Sequence, residues 1–223
     1  MREILYAFGD LCDVPHSDID GLFKGDGFKR LVLAGGGVPR DCLSLFLEVL
    51  DNVASRDGRI GKDDIRFLSL EIFERRIEEL KSDCESEEQD ALLAGIYLIR
   101  RYCLDRKNSV FLVPEQLLRD NDDVRELLYR LLDYRIIHQV ASTLTHKHRE
   151  GTYRAFMIDV GCYAFMRKLQ GRFTETDLWD RGVRETLRSA PVLDIEEFSK
   201  RAGQVPDEVE QVLKTEAEEA PAA

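Results

Sequence analysis

Arg135-Ile136-Ile137-His138-Gln139-Val140-Ala141, a polar gap, and then Thr152-Tyr153-Arg154-Ala155-Phe156-Met157-Ile158 form the stretch on which the reading of this chain turns. Both runs are dense in β-branched and aromatic residues, which fit a pleated, half-buried surface, and they read as two strands. The gap from Ser142 to Gly151 is polar and reads as a loop, with His146-Lys147-His148-Arg149 at its centre. Working upstream, the period changes. Val124, Leu127, Leu128, Leu131 and Leu132 form one helical stripe behind a capping run, Asn121-Asp122-Asp123. Glu115 to Arg119 reads as a brief helix, and Ser109-Val110-Phe111-Leu112-Val113 as a β-prone run closed by Pro114. Before that, Leu92, Leu93, Ile96, Tyr97, Ile99 and Tyr102 recur at helical spacing.

Helix, strand, helix, helix, strand, loop, strand is the order of a winged helix-turn-helix, expected here over residues 87–170. In such a module the second of the paired helices enters a DNA major groove and the hairpin tip lies along the backbone or in a minor groove. The groove-facing helix would present Arg125, Glu126, Tyr129, Arg130 and Asp133, a mixed face. The hairpin adds His146, Lys147, His148, Arg149 and Arg154. The residues expected to touch duplex DNA are therefore Arg125, Tyr129, Arg130, Lys147, Arg149 and Arg154, through phosphates before bases. The same residues read equally well as a solvated hairpin on a winged helix that binds protein.

Residues 1–82 read as a helical bundle. Ile4, Leu5, Phe8 and Leu11 repeat at helical spacing until Asp13-Val14-Pro15. A second helix covers Gly27 to Ala34, with Phe28, Leu31 and Val32 on one face. Gly35-Gly36-Gly37 ends it, and Pro39 suits the first position of the next helix, where its missing N–H is not needed. That turn aims Arg40 in a defined direction. Another helix, with Asp63 as its expected N-cap, turns Ile65, Leu68, Ile72, Phe73 and Ile77 inward. Lys81 to Glu88 is a polar, acidic break before the next segment. After the hairpin, a helical extension is expected over 171–213. It begins with a helix from Phe173 to Val183 packed on the winged helix, with Trp179 in the core. A disordered Ala/Glu-rich tail is expected over 214–223.

Composition restricts what such a chain can do. The 223 residues are 43% hydrophobic, enough for a core, and carry a net charge of −11. Acidity disfavours a generic nucleic-acid binder. The charge is uneven, however: residues 1–86 hold 12 basic and 18 acidic side chains, 87–170 hold 13 and 12, and 171–223 hold 7 and 13. Only the middle segment does not repel a polyanion. No apolar run reaches a membrane span and no signal peptide follows Met1-Arg2-Glu3, so no membrane partner is expected. Cys12, Cys42, Cys84, Cys103 and Cys162 include no Cys-x-x-Cys pair, which reads as a reduced, cytoplasmic chain without bound metal.

Catalytic signatures are lacking. A P-loop needs Gly-x-x-x-x-Gly-Lys-Ser/Thr, because its amides and lysine hold phosphates while the hydroxyl binds magnesium. Here Gly61-Lys62 is followed by Asp63, and Arg56 stands where the first glycine belongs. An apolar strand ending in Asp-Glu is missing too. His146 and His148 have no acidic or thiol partner at ligand spacing. The chain reads as a non-enzyme without a cofactor of its own.

Gly36-Gly37-Val38-Pro39-Arg40-Asp41-Cys42-Leu43-Ser44-Leu45-Phe46 resembles the sensor 2 segment of AAA+ ATPases, which opens a helix of their small helical lid. Arg59-Ile60-Gly61-Lys62-Asp63-Asp64-Ile65-Arg66 is similar to the turn before the last lid helix. A winged helix after a lid resembles the layout of origin-recognition and replication-initiator ATPases. The resemblance covers roughly residues 1–170. It implies a mostly α fold: a lid bundle, a winged helix with a short β-hairpin, and a helical C-terminal extension. It also implies that Arg40, at the sensor 2 position, reaches the terminal phosphate of a nucleotide, a task suited to a permanently charged fork. The nucleotide-binding core that precedes the lid in the family has no counterpart here. ATP and magnesium are thus expected only with a separate core, and Met1 opens near where such a core would end. The chain is expected to be a fragment or truncated reading frame, the partner of a separate core subunit, or a non-ATPase adaptor. Three roles follow as expectations: a non-catalytic module that couples a nucleotide site to DNA or partner binding, a protein-interaction adaptor, or a winged-helix transcription regulator.

Overall fold

The structure is a computed structural model that describes residues 1–54, 58–163 and 173–193. Among the described residues the chain forms nine α-helices, one 3-10 turn and a three-stranded antiparallel sheet, so it is mostly helical. These residues fall into two compact units, one of Met1–Arg75 with 160–163 and one of Arg76–Asp159 with 173–193. The part of the expected helical extension beyond residue 193, and the tail at 214–223, lie outside the described residues. None of the described helices is long and apolar enough to cross a membrane.

The first unit contains α1 (Arg2–Leu11), α2 (His16–Gly21), α3 (Gly27–Ala34), α4 (Pro39–Ala54) and the N-terminal part of α5 (Lys62–Asp83). Leu31, Cys42, Val49, Ile60 and Ile65 are fully buried in it. The three glycines after α3 each answer a different demand. A Cβ on Gly35 would sit 2.4 Å from Cys42 Sγ, so the chain can pass α4 only with hydrogen there. Gly36 adopts φ 59°, its N–H donates to Leu33 O, and the Gly37 N–H donates to Val32 O, which closes the helix with a left-handed residue. Gly37, at φ 73°, then turns the chain into Pro39, the first residue of α4.

Two expectations for this unit are corrected. Phe8 and Leu11 are 53% and 82% exposed, whereas Leu5 and Gly9 are buried. The inward face of α1 is set by α2, which packs at Gly9 through Ile19 and which the sequence did not signal. Asp63 does not cap α5. Asp64, one residue further on, accepts from the Gly61 N–H at 2.8 Å, as the third residue of a helix does in a capping box.

The second unit takes the remainder of α5, then α6 (Ser86–Asp105), β1 (Val110–Pro114), α7 (Glu115–Asp120), α8 (Asp122–Asp133), β2 (Ile137–Thr145) and β3 (Thr152–Ile158). The α5–α6 break at Cys84 and Glu85 falls inside the expected polar run. Asn121 caps α8: its Oδ1 accepts from the Val124 N–H at 2.9 Å. Strand order is β1-β3-β2, all antiparallel, with Phe111 opposite Phe156 and His138 opposite Met157. The sheet packs an aromatic core: Phe111 and Phe156 stack at 5.8 Å, and Tyr102 of α6 meets Phe111 edge-on at 6.4 Å.

Other boundaries move. Residues 142–145, expected in the loop, belong to β2, where Leu144 pairs with Tyr153 across two register shifts. Ser142 and Thr143 escape an alternation test because both are exposed in succession at the register shift, before the buried Leu144. The helix expected over Phe173–Val183 is absent. The chain there is irregular, with Thr174 O accepting from the Ser109 N–H just before β1. It is the stretch from Pro191 to Leu193 that lies along β1, where Pro191 O accepts from the Leu112 N–H and the Leu193 N–H donates to Leu112 O. It covers what would be an open sheet edge. The helix comes later, as α9 (Val183–Leu187), and Trp179 is 46% exposed, not buried.

Candidate functional site

Arg154, at the centre of β3, organises the face where α7, α8 and the hairpin come together. Its Nε donates to Glu115 Oε1 at 2.7 Å, its second amino group reaches Oε2 at 3.4 Å, and its Nη1 donates to the Tyr129 hydroxyl at 2.9 Å. The hydrogen bond to Glu115 is the largest influence holding this guanidinium above its ordinary pKa. The bidentate geometry that would suit a phosphate is thus satisfied by a carboxylate.

Three of the other expected DNA contacts are likewise paired with a carboxylate. Arg125 pairs with Asp122 at 2.8 Å and also donates to Leu118 O at 3.1 Å. Arg130 pairs with Glu88 of α6. Lys147 faces Glu185 of α9 at 3.6 Å. Arg149, exposed at the hairpin tip, makes no ion pair among the described residues. Four of the five cations proposed from sequence therefore carry a counter-charge. Exposed pairs of this kind are worth about 0–1 kcal/mol, so an external phosphate can replace the carboxylate.

The hairpin tip has one further electrostatic feature. His146 accepts on Nδ1 from the His148 N–H at 3.0 Å, and the two rings lie 6.0 Å apart. Burial first, then Arg149 and His148, hold the His146 pKa below its ordinary 6.5. Because the folded value is the lower one, the native state takes up this proton less readily than the unfolded chain. Its contribution to stability is in place above pH 6.5 and is lost as pH falls through and below that value. In an NMR titration the His146 midpoint is expected below 6.5. Arg149→Ala should move it upward without restoring the free value, because the burial cause remains; an unmoved midpoint would remove Arg149 as a cause.

Arg40 lies far from these groups in sequence and in the other unit. It is the second residue of α4, exposed in the first turn and aimed by the Gly36–Gly37 bend. It makes no ion pair among the described residues, and the positive end of a helix macrodipole disfavours a cation there by about 0.3–1 kcal/mol.

Sequence reasoning missed a buried charged cluster. His138 and Asp159 are 6% and 2% exposed; His138 Nε2 donates to Asp159 Oδ2 at 2.8 Å, and Arg76 reaches the same oxygen at 3.2 Å. Arg76 also donates to the Arg135 carbonyl at 3.0 Å, while the Asp159 N–H donates to Ile136 O. The cluster ties α5 to the start of β2 and the end of β3. Its members are 83 positions apart at the extremes, and no local pattern announces them.

Buried cysteines add little reactivity. Burial, with the Asp41 carboxylate beside it, pushes the Cys42 thiol up to about 11, and burial alone raises Cys103. Among the described residues no three His, Cys, Asp or Glu side chains are grouped to hold a metal. The sequence holds no P-loop pattern, and among the described residues no three metal-ligating side chains are grouped, so these residues alone do not fit the nucleotide and magnesium that the lid resemblance implies. No family model matches this chain, and neither does any curated protein or solved structure.

Proposed function

We propose that this chain is the lid and winged-helix module of an AAA+ ATPase of replication-initiator type, coupling a nucleotide site supplied by a separate core to the binding of duplex DNA. It performs no catalysis by itself. The observation that carries the reading is Arg40: a glycine turn presents it, exposed and without an ion pair among the described residues, at a helix end whose field opposes it. A side chain held there gains only when it meets an anion, and the terminal phosphate of a nucleotide is the anion the resemblance names. The element order α6-β1-α7-α8-β2-β3, with the strand order β1-β3-β2, supports the winged-helix half of the reading.

A second reading, a protein-binding adaptor, is favoured by one observation. The carboxylates on Arg125, Arg130, Lys147 and Arg154 leave the α8 and hairpin surface close to neutral before any ligand arrives.

Fluorescence anisotropy with a short DNA duplex, measured from about 50 to 200 mM salt, separates the two. Wild-type protein is expected to bind with a salt-dependent affinity. Lys147→Ala with Arg149→Ala should weaken binding and make the log–log salt slope shallower by about one to two. Absence of any salt-dependent binding by wild type removes the DNA reading and leaves the adaptor. The purified chain should not turn over ATP, and steady hydrolysis would refute the module assignment.

A further inference from the structure

The extension that follows the hairpin contributes more than cover for β1. The Lys147 N–H donates to the Arg188 carbonyl at 2.9 Å, and Arg188 Nε donates to the Thr145 carbonyl at 3.1 Å. These two bonds fix the C-terminal end of α9 against the hairpin tip. They also bring two cations, 41 positions apart in sequence, to one place. Between them stands a single carboxylate. Glu185 Oε1 accepts from Arg188 Nη1 at 3.0 Å, and Glu185 Oε2 faces Lys147 Nζ at 3.6 Å.

Each oxygen of that carboxylate is held by a different cation, which is how the two free oxygens of a phosphodiester are held between a lysine and an arginine. The Glu185 side chain is 59% exposed, so the space it fills opens to solvent. The hydrogen bond from Arg188 is the largest influence lowering its pKa, followed by the charge of Arg188 and, further down, that of Lys147. At neutral pH it is a full negative charge on a short, swinging arm.

We propose that Lys147 and Arg188 form a phosphate-binding site for duplex nucleic acid, and that Glu185 occupies this site in the free protein as an internal mimic of the phosphate. The proposal rests on the DNA reading above and adds to it a contact residue outside the hairpin and an acid that competes with the ligand. Binding exchanges one anion for another. Glu185 swings into water, the two cations keep a partner throughout, and the backbone bonds to Arg188 and Thr145 hold the frame. Affinity is thereby set lower than the count of basic residues implies, and the acid on α9 is the element that sets it.

The same duplex and salt series test this with Glu185→Gln, Arg188→Ala and the pair combined. Glu185→Gln keeps the shape and removes the charge at an exposed position, so it leaves folding intact, which Trp179 fluorescence verifies. It is expected to tighten binding by about three- to tenfold at low salt and to steepen the salt slope by about one. Arg188→Ala should weaken wild-type binding and cancel the gain from Glu185→Gln. If Glu185→Gln binds as wild type does while Lys147→Ala with Arg149→Ala still weakens binding, the internal-mimic proposal falls and the DNA reading survives. Wild type that shows no salt-dependent binding overturns the DNA reading and, with it, this proposal, whatever the variant does. If neither wild type nor Glu185→Gln binds, both are overturned.

Discussion

Replacement of Asp159 by alanine is expected to destabilise the second unit by about 3–5 kcal/mol, because it strands the buried His138 and takes the counter-charge from the mostly covered Arg76. Asp159 is 2% exposed, and one of its carboxylate oxygens receives both His138 and Arg76. Without it, the Arg76 guanidinium faces a buried imidazole with no anion between them, and water cannot fully solvate either group. The cost comes from leaving a charge unmatched, not from the intrinsic worth of an ion pair, which burial largely cancels. The cluster therefore makes a sharper claim than a single variant tests. Arg76→Met combined with Asp159→Ala removes the stranded charge and should recover a large part of the loss. Urea unfolding followed by Trp179 fluorescence, which reports on the same unit, measures both. If the double variant is as unstable as the sum of the singles, the charge argument fails.

Phe156→Ala should lower the stability of the same unit by a comparable amount, about 3–5 kcal/mol, through a different cause. Phe156 is fully buried on β3, the central strand, with Phe111 opposite it on β1 and Gln139 on β2. Its ring stacks on Phe111, which in turn meets Tyr102 of α6. Removing it leaves a cavity bounded by strand backbones that are tied on both sides and cannot close in. Phe156→Leu keeps most of the volume and should cost about 1.5 kcal/mol or less. A fall in the urea midpoint with an unchanged slope is the expected signature. A loss under about 1 kcal/mol for Phe156→Ala would mean that the sheet relaxes around the gap.

Helix ends show why some boundaries were legible and others were not. Four helices close in the same way, each with a left-handed residue just past the last turn: Asp13 after α1, Gly36 after α3, Lys107 after α6 and Arg135 after α8. Only Gly36 announces itself, because glycine carries no penalty at positive φ. Arg135 carries no such signal, and from sequence alone it reads as the first residue of a strand. Its conformation is held instead by the Arg76 bond to its carbonyl, which comes from a helix 59 residues earlier. The end of α1 at Leu11 is legible for another reason, the Asp13-Val14-Pro15 run that follows it. Asn121 and Pro39 were equally clear, since a cap and a missing N–H are local chemistry.

The candidate sites divide along the same line. The turn that presents Arg40 follows from adjacent residues, and so does the exposure of Lys147 and Arg149 on a polar hairpin. The pairing of the cations does not. Glu115 meets Arg154 across 39 positions, Glu88 meets Arg130 across 42, and Glu185 meets Lys147 across 38. A sequence shows the charge on each residue, but the field at a surface depends on which opposite charge folding places beside it.

Periodicity, caps and turn residues are interactions among neighbours along the chain, and they determined the order of elements from α3 through β3 and the near-neutral charge of the middle segment. Tertiary structure decided the rest: that α2 turns the face of α1, that residues 173–193 cover β1 without forming the expected helix, that Trp179 stays in solvent, and that a buried Arg76–Asp159–His138 cluster exists at all. Each of these depends on groups distant in sequence competing for the same space or the same charge, and only the folded chain resolves that competition.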